Sequence, residues 1–111
     1  MAKNKKITQK EYDQVFNKDK GRCHECGTIH RLEYHHVIFK SKHVPNTIDN
    51  GVMLCSKDHR GTYGVHGKFG KNLDLKLKLE LQNIYKSRDL DFNEIKALMG
   101  GRHYSEDEYF D

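Results

Sequence analysis

Apolar material is scarce in this sequence. Hydrophobic residues make up 35% against 32% charged, mean hydropathy is −0.93, and no stretch approaches the ~20 apolar residues of a membrane span. The first thirteen residues, MAKNKKITQKEYD, carry charge but no apolar h-region, so neither leader nor anchor is expected and the chain reads as cytosolic. No internal repeat is visible, and Pro45 is the only proline. Cysteines number three. In a reducing cytosol an odd set containing a Cys-x-x-Cys pair points to zinc rather than disulfides. A length of 111 residues implies one domain, here residues 1–111, with a modest core. A structural metal would relieve that shortage, because its binding contributes folding free energy directly.

What the chain does have is crowded into residues 23–66. All three cysteines and most of the eight histidines fall there, a density that suggests metal chemistry more than packing. Charge is also uneven. Residues 1–88 carry 18 basic and 9 acidic side chains, a balance of +9, and residues 89–111 carry 2 and 7, a balance of −5. A basic body with an acidic tail is the footprint of a nucleic-acid binder. Lys40, Lys42, Lys57, Arg60 and Lys68 crowd the metal-ligand stretch and are candidate phosphate contacts. Residues 1–6, polar and basic, are a further one.

Along the chain, Thr8 and Glu11 form a capping-box pattern ahead of Tyr12, Val15 and Phe16, predicting a helix over about 8–20 that ends near Gly21. Cys23-His24-Glu25-Cys26-Gly27 reads as a zinc knuckle, with the glycine letting the backbone turn. Residues 32–39 read as a strand. A polar loop follows, Asn50-Gly51 turns the chain, and residues 52–54 read as a second strand. Ser56 or Asp58 would cap a helix carrying His59. Residues 73–85 alternate leucines in strand fashion, but Leu, Lys, Glu and Gln favour helix. As a helix, Leu73, Leu77, Leu81 and Ile84 share one face with Leu75 and Leu79 nearly opposite, to be covered by the tail or by self-association. Asp91 and Glu94 repeat the capping box, so helices are expected over about 72–100. Residues 102–111 form an acidic, solvated tail. His24, His30, His43 and His103 read as ordinary surface histidines.

Adjacent strand residues point to opposite faces, so one of His35 and His36 can bind a metal while the other addresses a water. Phosphodiester hydrolysis needs such a base together with a cation. An ordinary imidazole titrates near 6.5 and suits that task.

Cys-x-x-Cys, His-His at a strand end, Asn before a second strand, then Cys with spaced His on a helix: this order resembles the HNH endonuclease family, specifically its zinc-knuckle branch, common among phages and mobile elements. The resemblance spans residues 23–66. It implies an α+β architecture, a small ββα-metal core stapled by a zinc knuckle, with flanking N- and C-terminal helices. It implies His35 as a ligand of the catalytic divalent cation, His36 as general base, and His59 and His66 completing the cation's set. Asn50 would hold the loop between the strands, and through it His36, by side-chain hydrogen bonds. Mg2+ or Mn2+ is the expected catalytic cation, with Zn2+ or Ni2+ as alternatives, and DNA is the expected substrate, nicked or cut.

The branch's pattern usually places a second zinc ligand three residues after the third cysteine. Here Asp58 stands at that position, and His59 follows. Zn2+ on Cys23, Cys26, Cys55 and Asp58 is therefore expected, with His59 left to the catalytic cation. His66 lies seven residues after His59, where the family spacing is about four. The rival reading is a catalytically inactive zinc-knuckle DNA-binding or phage packaging accessory module. A partner protein supplying specificity, a monomer or weak homodimer, no membrane association, and a cytoplasmic site (a bacterial host cell if phage-encoded) complete the expectations.

Overall fold

The computed structural model describes residues 7–39, 42–45 and 47–109. Residues 1–6 and Lys40, both expected to contact phosphate, lie outside the described residues. Helix α1, Gln9–Lys18, begins at the expected capping box: the Thr8 side chain accepts from Glu11 N at 3.1 Å and the Glu11 carboxylate accepts from Thr8 N at 2.8 Å. Two side chains at the helix end then grip the second strand. Lys18 Nζ donates to the carbonyls of Ile48 and Gly51 at 2.8 and 2.6 Å, and Asp19 Oδ2 accepts from Met53 N at 2.8 Å.

Strands β1 (Leu32–His36) and β2 (Gly51–Cys55) form an antiparallel pair in which His36 faces Gly51 and Leu32 faces Cys55. The ladder stops at His36, three residues short of the expected strand, although Val37 and Ile38 are buried. A side chain replaces the missing partner backbone. Asn50 Oδ1 accepts from Ile38 N at 2.6 Å and Asn50 Nδ2 donates to Ile38 O at 3.1 Å. Helix α2, Ser56–Arg60, follows β2 directly. Its cap is neither Ser56 nor Asp58 but Cys55, whose sulfur accepts from Asp58 N at 3.4 Å. These three elements are the ββα unit.

Helices α3 (Lys71–Lys86) and α4 (Phe92–Leu98) close the core, α4 behind its Asp91–Glu94 capping box. The fold class is the α+β arrangement expected from the sequence. Val52, Leu54, Leu77, Leu81, Tyr85, Ile95 and Met99 pack into one apolar cluster with Val37 and Ile38. The buried residues of α3 differ from the expected stripe. Leu75, Leu77, Leu81, Gln82 and Tyr85 are buried while Ile84 is exposed.

The tail explains the difference. Gln82 Nε2 donates to Tyr104 O at 2.9 Å and Gln82 Oε1 accepts from Tyr104 N at 2.8 Å, docking residues 102–109 onto α3. Leu75 lies with Tyr104 and Glu108 around a cleft of about 150 Å³. Tyr104 of the segment expected to be solvated thus packs at Leu75 of the second leucine face, while Arg102, Ser105, Glu106, Asp107 and Tyr109 are exposed and a short 3-10 turn spans Glu106–Glu108. Among the described residues no helix is long and apolar enough to cross a membrane.

Candidate metal centres

Two clusters of ligand-type side chains flank helix α2. In the first, Cys23 and Cys26 of the knuckle meet Cys55 and Asp58, with one ligand atom from each lying within 4.8 Å of the others. The knuckle reaches this point because Gly27 takes a φ of +79°, a left-handed turn that glycine adopts without strain, and because His24 N donates to Met53 O at 2.7 Å. The Cys23 and Cys55 thiols donate to Asp58 Oδ2 at 3.3 and 3.4 Å, and the sulfurs of Cys26 and Cys55 are 3.7 Å apart. Burial pushes the Cys55 thiol up to about 12. Burial also works to raise Asp58, but donation from the three thiols outweighs it and holds the carboxylate below its ordinary range. Three sulfurs and a carboxylate are an acceptable tetrahedral zinc set.

In the second cluster, ring nitrogens of His35, His59 and His66 lie within 4.8 Å of one another. His35 projects from β1 on the same face as Glu33 and is 2% exposed. Its Nε2 is buried and makes no hydrogen bond among the described residues. A polar atom in that position normally has a partner, and a cation among three imidazoles would supply it. Burial, then the neighbouring His59 and His66, drive His35 down to about 3. Its lone pair is therefore held in the neutral form a metal ligand needs. Burial lowers His66 too, and neighbouring His59 adds to this.

His59 is oriented from behind. Its Nδ1 lies 2.7 Å from Glu33 Oε1, and one of its ring nitrogens lies within 4.8 Å of ring nitrogens of His35 and His66. Arg60 grips the same carboxylate, Nε to Oε1 at 3.0 Å and Nη2 to Oε2 at 2.5 Å, and holds Glu33 below its ordinary range with help from His59. A carboxylate behind a ligating histidine fixes the tautomer and raises ligand basicity. Sequence pattern alone does not single out Glu33. Its only sequence signal was an acidic residue two positions before His35 on the same strand face.

The unusual spacing of His66 is resolved by the turn that carries it. Val65 N donates to Asp58 O at 2.9 Å and His66 N to His59 O at 3.0 Å, so the insert folds back along α2 and lays His66 beside His59. Their ring centroids are 4.9 Å apart. The turn is tight enough that a Cβ on Gly67 or Gly70 would collide with the backbone at Gly61, Thr62 or Gly64.

His36 lies on the opposite face of β1 from His35, its ring centroid 4.9 Å from that of Tyr34 at an interplanar angle of 60°. Asn50 is buried behind it and engages Ile38. Lys42, Lys57 and Lys68 are exposed, whereas Arg60 is held by Glu33. His24 is no free surface residue. It bridges Asp19 and Glu80 at 3.0 and 2.8 Å, and hydrogen bonding to Asp19 first, opposed by burial and aided by Glu80, raises it to about 9. Beside it Glu25 pairs with Lys76 at 2.8 Å, so the knuckle is clamped to α3.

Residues 21–63 match the family model described as HNH endonuclease. No curated protein and no solved structure matches the chain. The matched segment contains both strands, most of the thiol cluster's scaffold and His59, and stops three residues before His66.

Proposed function

On the premise of an HNH endonuclease domain across residues 21–63, we propose that this protein is a metal-dependent endonuclease that hydrolyses DNA phosphodiester bonds. The observation that carries the proposal is the convergence of His35, His59 and His66 around a buried, unpartnered His35 Nε2. These three would hold the catalytic divalent cation, Mg2+ or Mn2+. Bound there, the cation would polarise a phosphoryl oxygen and stabilise charge on the departing 3′-oxygen.

The chain's own groups supply the rest. His36 accepts a proton from the attacking water while the water oxygen bonds to phosphorus and the bond to the 3′-oxygen breaks. The 3′-oxygen is then protonated from solvent. Asn50 is a positioning residue: by fixing both backbone groups of Ile38 it sets the exit of β1 and so the direction of His36. Zn2+ on Cys23, Cys26, Cys55 and Asp58 staples the knuckle to α2. Lys42, Lys57 and Lys68, with Lys40 and Arg60 beside them in sequence, meet backbone phosphates. Such contacts position the strand without reading its sequence.

Plasmid relaxation tests this. Wild type should relax supercoiled DNA with Mg2+ or Mn2+ added, and His36→Ala should lower the rate by about 100-fold or more at unchanged zinc content and Tm. Near wild-type nicking by His36→Ala would remove the base assignment. DNA binding with no cation-dependent relaxation in wild type would favour the accessory-module reading.

A further inference from the structure

The turn that returns His66 to the three-histidine cluster carries two aromatic rings that the chemistry above does not use. Tyr63 is 73% and Phe69 56% exposed. Their centroids are 5.5 Å apart at an interplanar angle of 29°, a stacked pair, with Lys68 Nζ 5.4 Å from the Phe69 centroid. We propose that Tyr63 and Phe69 are a stacking platform for an unpaired base, so that the strand delivered to His35, His59 and His66 is single-stranded or locally unpaired DNA. This rests on the nuclease reading and names the substrate form for the same site.

The rings stand on a fixed backbone. Phe69 N donates to Thr62 O at 2.8 Å, Gly64 N to Gly61 O at 2.9 Å and Gly67 N to Gly64 O at 2.7 Å, while the bonds from Val65 and His66 anchor the turn to α2. Neither ring belongs to the apolar core. His66 lies between them in sequence, so the hydrogen bonds that place the ligand also place the rings.

Charge selects the occupant. From residue 57 to 71 the chain has Lys57, Lys68 and Lys71, with Arg60 held by Glu33; of the carboxylates lining the cleft at Tyr63, Asp58 is turned into the thiol cluster and Glu25 is paired with Lys76. Exposed aromatics rimmed by cations match the alternating π-faces and phosphates of a nucleic-acid strand. In a duplex those π-faces are already stacked on neighbouring bases. Only an unpaired base can offer one to Tyr63.

Fluorescence anisotropy with three labelled probes about 15 nucleotides long tests the platform: a single strand, its duplex, and an abasic strand of equal charge. No Mg2+ or Mn2+ is added, so cleavage does not enter. Wild type should bind the single strand about tenfold tighter than the abasic strand and tighter than the duplex. Tyr63→Ala with Phe69→Ala should erase the difference while duplex affinity stays within about twofold; Tyr63→Phe should preserve it. Tyr63→Ala alone serves if the double variant melts early.

Equal wild-type affinity for base-bearing and abasic strands overturns the platform, as does a double variant that keeps the preference. So does a double variant that changes the sedimenting mass but not oligonucleotide binding, which would make this face a contact between copies. A wild type with base preference but no plasmid relaxation would leave the platform standing and remove the nuclease reading instead.

Discussion

The thiol cluster and the three-histidine cluster lie on either side of one five-residue helix, and they differ in the number and kind of their ligand groups. Cys23 and Cys55 are buried and Asp58 Oδ2 accepts from both, while Cys26 is exposed with its sulfur 3.7 Å from that of Cys55, so the first cluster brings four ligand groups together. The second has a buried member in His35, a half-buried one in His59 and an exposed one in His66. Four protein ligands suit a structural site, and three with an open side suit a working one. Adjacent residues Asp58 and His59 thereby enter different clusters. Asp58 returns to Cys55 across the first helical turn, while Glu33 draws His59 toward His35.

The sharpest way to break this contrast is at the four-ligand cluster. Cys55→Ser removes a thiolate ligand while leaving a side chain able to cap α2, so bound zinc should be lost and Tm should fall by about 20 °C or more. Metal analysis with a thermal melt checks it, and zinc retained at wild-type Tm would contradict a structural site.

Next in size is the exchange of neighbours. His59→Ala should reduce cleavage by about 100-fold or more and leave zinc and Tm in place, whereas Asp58→Ala should lower both zinc content and Tm. If His59→Ala loses zinc and Asp58→Ala keeps it, the fourth thiol-side ligand is His59. Glu33→Gln should have a smaller effect, raising the Mg2+ or Mn2+ needed for half-maximal cleavage about 10- to 100-fold without altering zinc content; a cation titration of plasmid nicking measures it. Smallest is the electrostatic term. Neutralising Lys57 and Lys68 together should flatten the slope of log affinity against log salt by about 2, read from duplex binding at several salt concentrations. An unchanged slope would move the DNA path elsewhere.

What could be read from the sequence was what is decided within a few residues. Thr8–Glu11 and Asp91–Glu94 are local capping boxes, and both helices start where those pairs put them. The ββα order followed from the alternation of thiols, histidines and turn residues. Helix α3 was legible as a helix but not as a face. Its leucines surround the axis, and burial was settled by the tail, through two hydrogen bonds between Gln82 and the Tyr104 backbone. The end of β1 was missed for a similar reason: Asn50 satisfies Ile38 from twelve residues away, and periodicity carries no trace of it. Nothing in the sequence around Glu33 marks it as a partner for a histidine. Only the return of α2 over the sheet makes it a partner of His59 and Arg60.

The glycine turn after α2 also bears on how such proteins are found. A pattern that fixes the interval between the last two histidines treats sequence distance as spatial distance. Here a backbone bond from His66 to His59 cancels the extra length, so the interval can lengthen by nearly a helical turn while the rings stay together. A search written as a rigid string of spacings would pass over this chain at its final histidine. One that lets that interval float, and asks instead for glycines spaced three apart inside it, would retain it.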